Sequence, residues 1–108
     1  MNKHAAGNGI SSLVDIDRLV HEPARLAIIS LLYVVNSADF IFLMNQTGLS
    51  WGNLSAHMSK LEEVGYIQVE KTFRGKRPNT TMRLTSQGRQ AFNHYARKMK
   101  AMFKDFKE

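Results

Sequence analysis

Arg74, Lys76 and Arg77 fall within four residues of one another, around Gly75 and just ahead of Pro78-Asn79. Cations packed this closely on turn-forming residues make a compact donor cluster suited to phosphate or another polyanion. Lys71 and Arg83 flank the cluster. A second polar group comes earlier: Ser50, Asn53, Ser55, His57, Ser59 and Lys60 lie within eleven residues. Other chemistries have little to work with. There is no cysteine, which removes disulfides, thiolate metal sites and cysteine nucleophiles. His4, His21, His57 and His94 are far apart and form no close ligand pair. No Gly-rich loop follows a strand, and no nucleophile motif occurs. The expectation is therefore no enzyme, no catalytic residue, no cofactor and no metal. His57 reads as a phosphate donor or a packed surface residue, and Glu62-Glu63 as a solvated pair that repels phosphate.

The charge is unevenly spread over the 108 residues. Residues 1–70 carry four basic and seven acidic side chains, a net −3, whereas residues 71–108 carry eleven and two, a net +9. The overall +6 thus belongs to the last third, which points to a polyanionic partner, nucleic acid ahead of a membrane surface, or to a solvated basic face. Apolar residues make up 44% of the chain, enough for a core. The longest apolar stretch, Leu26 to Val35, is interrupted by Ser30 and too short to span a bilayer. The polar start, Met1 to Gly9, has no signal-like apolar core, so a cytoplasmic chain without a membrane partner is expected.

These groups must be positioned by elements the sequence also marks. Residues 1–10 read as a flexible N-terminus, and Ser11 to Val20 as weakly helical, with Leu13, Ile16 and Leu19/Val20 in step. Pro23 opens a helix to about Val35, because its missing N–H needs no partner there. Ser37 is a candidate cap for a short helix to about Gln46, with Phe40, Ile41, Leu43 and Met44 as its apolar face. Gly48 ends it, Ser50 caps a third helix to about Val64, and Gly65 stops that one. Leu54, Met58 and Leu61 are its inner positions. The period then changes to two. Tyr66 to Phe73 reads as a strand with Ile67, Val69 and Phe73 inward, Arg74 to Asn79 as a turn, and Thr80 to Leu84 as a second strand. Thr85 caps a last helix from Ser86 to about Lys107. The expected fold is mainly α with a small β-hairpin. A short helix, a Gly turn and a second amphipathic helix form a helix-turn-helix, and the basic hairpin makes it winged.

The stretch from Thr47 to Ile67 resembles the recognition-helix segment of bacterial winged-helix transcriptional regulators. It is similar to MarR- and ArsR-type repressors and to a compact family of stand-alone winged-helix domains. His21-Glu22-Pro23-Ala24-Arg25-Leu26 resembles the start of their first core helix, and Leu84-Thr85-Ser86-Gln87-Gly88-Arg89 their junction after the wing. The resemblance implies a homodimeric, sequence-specific binder of double-stranded DNA acting in transcription, as a repressor. Trp51, Gly52, Ser55, Ala56 and Ser59 match the face turned to the groove. Asn53, His57 and Lys60 match positions that reach backbone phosphate, Ser50 the helix cap, and Arg74, Lys76 and Arg77 the wing. Trp51 and Ala56 stand where such regulators often carry polar or charged residues. With no Arg or Gln on that face, reading falls to Ser55, Asn53, thymine-methyl contacts and a wing Arg in the minor groove.

The last helix carries Phe92, Tyr95, Met99, Phe103 and Phe106 on one stripe. A helix over 86–107 would be about 33 Å long, more than one small domain covers, so the stripe is expected to pair with a second copy. The expected organisation is a DNA-binding domain over residues 11–85 and a dimerisation helix over 86–108. Two other readings fit the same residues. One is a winged-helix adaptor that binds protein rather than specific DNA. The other is a regulator with a small-molecule effector in a dimer-interface pocket.

Overall fold

The computed structural model describes residues 14–104 and 106. The order of elements is α1 (Pro23–Val35), β1 (Ser37–Asp39), α2 (Phe40–Thr47), α3 (Trp51–Glu63), β2 (Ile67–Arg74), β3 (Arg77–Leu84) and α4 (Ser86–Phe103). The strands form one antiparallel sheet in the order β1-β3-β2. Ile28, Ile29 and Leu32 of α1 pack with Leu43 of α2, Leu54 and Leu61 of α3, and Ile67 and Met82 of the sheet in one buried cluster. No described helix is long and apolar enough to cross a membrane.

Each helix starts where a side chain satisfies a backbone N–H that has no partner within the helix. Glu22 accepts from the Arg25 amide ahead of Pro23, Ser50 from Asn53, and Thr85 from Gly88. Gly48 ends α2 in the left-handed conformation at φ 73°, which costs glycine least. Gly88 has a different constraint. A Cβ there would collide with the Tyr66 carbonyl, so the absence of a side chain is what lets α4 approach the end of α3.

Several expectations are corrected. Ser37 does not cap α2. Ser37–Asp39 pair with Thr81–Arg83 as a third strand, and Asp39 caps the helix by accepting from the Phe42 amide at 2.8 Å. The turn that frees Ser37 for the sheet is Asn36, at φ 68°. The hairpin is longer than expected: only Gly75 and Lys76 lie between the strands, and Arg74 faces Arg77 as the last strand pair. Phe73 is not an inner residue. It is 73% exposed, because β2 runs past the end of the core before it turns. Ile41 is likewise exposed, whereas Phe40 and Leu43 are buried.

The weak helix expected over Ser11 to Val20 does not form over Val14 to Val20 either: Val14 and Asp15 lie in a 3-10 turn, Ile16 and Asp17 lie between elements, and Arg18 to Val20 form a turn. Asp17 accounts for this, since its Oδ1 accepts from the Leu19 and Val20 amides and supplies an alternative to helical pairing. Ser11 to Leu13 and the flexible stretch 1–10 lie outside the described residues, as does Lys107, the expected helix end; α4 ends at Phe103.

Candidate nucleic-acid interface

The α3 helix divides its side chains into three strips at about 100° per residue. Leu54, Met58 and Leu61 face the core and are buried. Gly52, Ala56, Ser59 and Glu63 lie opposite them and are exposed. Small side chains on that strip make a low ridge whose backbone can come close to a partner. Ser50 Oγ accepts from the Asn53 amide at 3.1 Å and Ser50 O from the Leu54 amide at 2.9 Å. The Trp51 and Gly52 amides have no acceptor inside the helix, and with the helix dipole they favour an anion.

The two flanks of α3 differ. Trp51 and Ser55 turn toward the wing. A cleft of about 260 Å³ lies between them and the hairpin, lined by Phe40, Trp51, Ser55, Lys71, Pro78 and Thr80 among others. The Trp51 ring packs on Phe40 with centroids 5.5 Å apart, yet the residue remains 65% exposed. Trp51 is therefore both a packed cap of the helix start and a surface residue. Asn53, His57 and Lys60 occupy the other flank. Asn53 and Lys60 are exposed, whereas His57 is half-buried beside the start of α1, with Nδ1 3.2 Å from Arg25 Nη1.

The wing presents its cations without burying them. Arg74, Lys76 and Arg77 are all exposed. Arg74 Nη2 lies 3.8 Å from Asp39 Oδ2, a contact that ties the wing to the cap of α2. Exposed Phe73 and Pro78 face each other across the two strands, next to those cations. Phe73 is the surface residue sequence reasoning missed: its period-two register is that of an inner position, and only the length of the hairpin reveals that the core stops short of it.

The stripe on α4 splits in two. Tyr95 is buried in its own domain, its hydroxyl 2.9 Å from His21 Nδ1, and burial pushes the phenol up. Phe92 and Met99 are partly buried against the same core, Phe92 with its ring 4.9 Å from Tyr33. The Tyr33 hydroxyl donates to Asn93 Oδ1 at 2.8 Å, and Arg89 stacks over the Tyr33 ring at 4.5 Å. Phe103 and Phe106, in contrast, are 56% and 59% exposed. No group of three His, Asp or Glu side chains among the described residues is arranged to hold a metal.

A tight helix-turn-helix with an exposed small-residue ridge, next to a hairpin tipped with arginines, is the arrangement of one family, and the sequence matches its description, a winged helix DNA-binding domain, over residues 24–103. The chain belongs to this winged-helix family. A relative, an uncharacterized protein from Methanocaldococcus jannaschii, is 33% identical over 78 residues, which cover 72% of this chain and 85% of that protein. Among solved structures, a transcriptional regulator homologue from Pyrococcus horikoshii superposes with a TM-score of 0.78 at 26% identity, covering 83% of this chain and 91% of its own. A MarR-family transcriptional regulator from Silicibacter pomeroyi shares the fold, with a TM-score of 0.64 at 19% identity over 83% of this chain and 62% of that one. The winged-helix resemblance read from the sequence thus holds for family and fold. It is not confined to bacteria, since the Methanocaldococcus relative is archaeal.

Proposed function

We propose that two copies of this chain bind double-stranded DNA as a sequence-specific transcriptional regulator in the cytoplasm, acting as a repressor by occluding the site it covers. Each copy lays α3 in a major groove and its wing along the adjoining phosphates and minor groove. The observation that carries this reading is the exposed ridge of Gly52, Ala56 and Ser59 standing beside the exposed cations Arg74, Lys76 and Arg77. The ridge is low enough for close approach to base edges. Ser55 and Ser59 offer hydroxyls to them, and Ala56 offers a methyl to thymine. Ser50, the amides of Trp51 and Gly52, Asn53, His57 and Lys60 meet phosphate and set the register. Glu63 at the far end of the ridge tolerates a cytosine amino group and repels phosphate, which limits how the helix slides along the groove. Phe103, the last residue of α4, and Phe106 beyond it, both exposed, provide the contact with the second copy, while Phe92, Tyr95 and Met99 anchor that helix to its own domain.

Selection of bound duplexes from a random pool tests the reading. A consensus with two inverted half-sites about one helical turn apart is the expected result. Recovery of no consensus, with affinity independent of salt, would refute it, since phosphate contacts make binding fall steeply as salt rises.

A further inference from the structure

The flank of α3 away from the wing holds a contact that no local sequence pattern announces. Arg25, in the first turn of α1, reaches across to α3 and brings Nη1 to 3.2 Å from His57 Nδ1. The rest of its guanidinium is committed to the loop before α1: Nε donates to the Leu19 carbonyl at 2.7 Å and Nη2 to the Arg18 carbonyl at 3.5 Å. Glu22 Oε1 accepts from the Arg25 amide at 2.8 Å and lies 3.9 Å from His57 Nδ1. Arg25 is thus fixed at both ends, and its head group is aimed at one nitrogen of one imidazole.

The Arg25 contact fits one tautomer of the imidazole. Arginine has N–H donors only and stays protonated, so it can hydrogen-bond His57 Nδ1 only if that nitrogen offers a lone pair. A neutral ring whose Nδ1 accepts carries its hydrogen on Nε2. Among the described residues nothing pairs with Nε2. It belongs to the same flank as exposed Asn53 and Lys60.

We propose that Arg25 is a positioning residue for DNA binding: it locks the tautomer and rotation of the His57 ring so that Nε2–H is presented to a backbone phosphate on the flank opposite the wing. The inference rests on the DNA-binding reading above and assigns a role to a residue outside the recognition helix and the wing. It makes the interface two-sided. Cations hold phosphate on the wing side, and a neutral oriented donor holds it on the α1 side. A neutral donor forms its bond without displacing a counterion, so its loss changes affinity and leaves the salt dependence alone.

The test uses a labelled duplex of mixed sequence at low salt, where phosphate contacts dominate. His57→Ala and Arg25→Met are each expected to weaken binding about fivefold, the scale of one net hydrogen bond. The double variant is expected to be no weaker than either single one, because both remove one contact. Their log–log salt slopes match the wild type, whereas Arg77→Ala lowers the slope by about 0.9. Arg25→Lys and His57→Gln, which keep a donor at the needed place, restore much of the affinity. In the free protein, nitrogen-15 shifts of His57 report one neutral tautomer, protonated at Nε2, and Arg25→Met converts it to an averaged pair. The proposal is overturned if Arg25→Met lowers the slope as Arg77→Ala does and keeps its full effect in the His57→Ala background, since Arg25 then touches phosphate itself. It is also overturned if His57→Ala binds like the wild type. If the wild type and Arg77→Ala both fail to bind duplex at any salt, the DNA-binding reading itself has failed, and that outcome is distinct from either of these.

Discussion

Tyr66 concentrates several constraints in one residue. Its hydroxyl donates to Asp17 Oδ2 at 2.6 Å, and its carbonyl accepts from the Thr85 amide at 3.0 Å. Burial first, then the hydrogen bond to Asp17 and that carboxylate's charge, push the phenol up to about 12 from 10. The folded state therefore holds the proton more tightly than the unfolded chain. The resulting stability is complete below pH 10 and is lost as pH rises toward 12. Alkaline melting curves of Tyr66→Phe are expected to fall less steeply over that window than those of the wild type, at a cost of about 1 kcal/mol at neutral pH for the lost bond. Gly88→Ala is the more damaging change. Its Cβ meets the Tyr66 carbonyl, and overpacking against backbone costs about 1–3 kcal/mol, readable as a lower urea midpoint. At this scale the sequence was legible wherever a side chain serves its own next turn. Ser50, Gly48 and Thr85 announce helix boundaries because their bonds span three or four residues. Arg25 and His57 stand 32 positions apart, and nothing in either neighbourhood requires the other.

Among elements, α1 and α3 were readable nearly to the residue, since Pro23 marks the start of an apolar run at α1, and the Ser50 cap agrees with an apolar period of about 3.6 at α3. The start of α2 was not. Ser37 has the chemistry of a cap, but its backbone is claimed by β3, and the pairing of Ser37 with Arg83 depends on a strand that comes much later. The wing was legible as a basic turn and illegible in length, because Arg77 to Asn79 join a strand through cross-strand pairing rather than through their own β-propensity. Asp39 links these two elements. Asp39→Ala removes the cap of α2 and the acidic neighbour of Arg74, so a loss of about 1 kcal/mol in denaturant stability is expected. The same variant is expected to bind duplex DNA slightly better at low salt, since Arg74 loses a competing carboxylate; a weaker complex at matched folding would show that the contact places the wing.

Over the whole molecule, the charge asymmetry and the long last helix suggested a paired, DNA-facing unit, and the structure shows which part of the apolar stripe is exposed. Phe92, Tyr95 and Met99, three of the five residues of the expected stripe, are spent on the domain's own core, because α1 presents Tyr33 and the loop before it presents His21 to the same face. Of the five, Phe103 at the end of α4 and Phe106 beyond it stay uncovered. Phe103→Glu is therefore expected to convert a dimer to a folded monomer in sedimentation velocity and to weaken binding to a two-half-site duplex far more than to a single half-site. The meeting point at Tyr66 reaches further. The loop before α1, the end of α3 and the start of α4 are all fastened there: Asp17 to the hydroxyl, Thr85 to the Tyr66 carbonyl and, through its Oγ1, to the Gly65 carbonyl at 2.6 Å. Detaching any one of the three breaks a bond to this shared junction. Amide hydrogen exchange at Tyr66, Thr85 and Gly88 should then proceed only through opening of the entire domain, so the long helix is not a loosely hung arm but part of the same cooperative folding unit as α3.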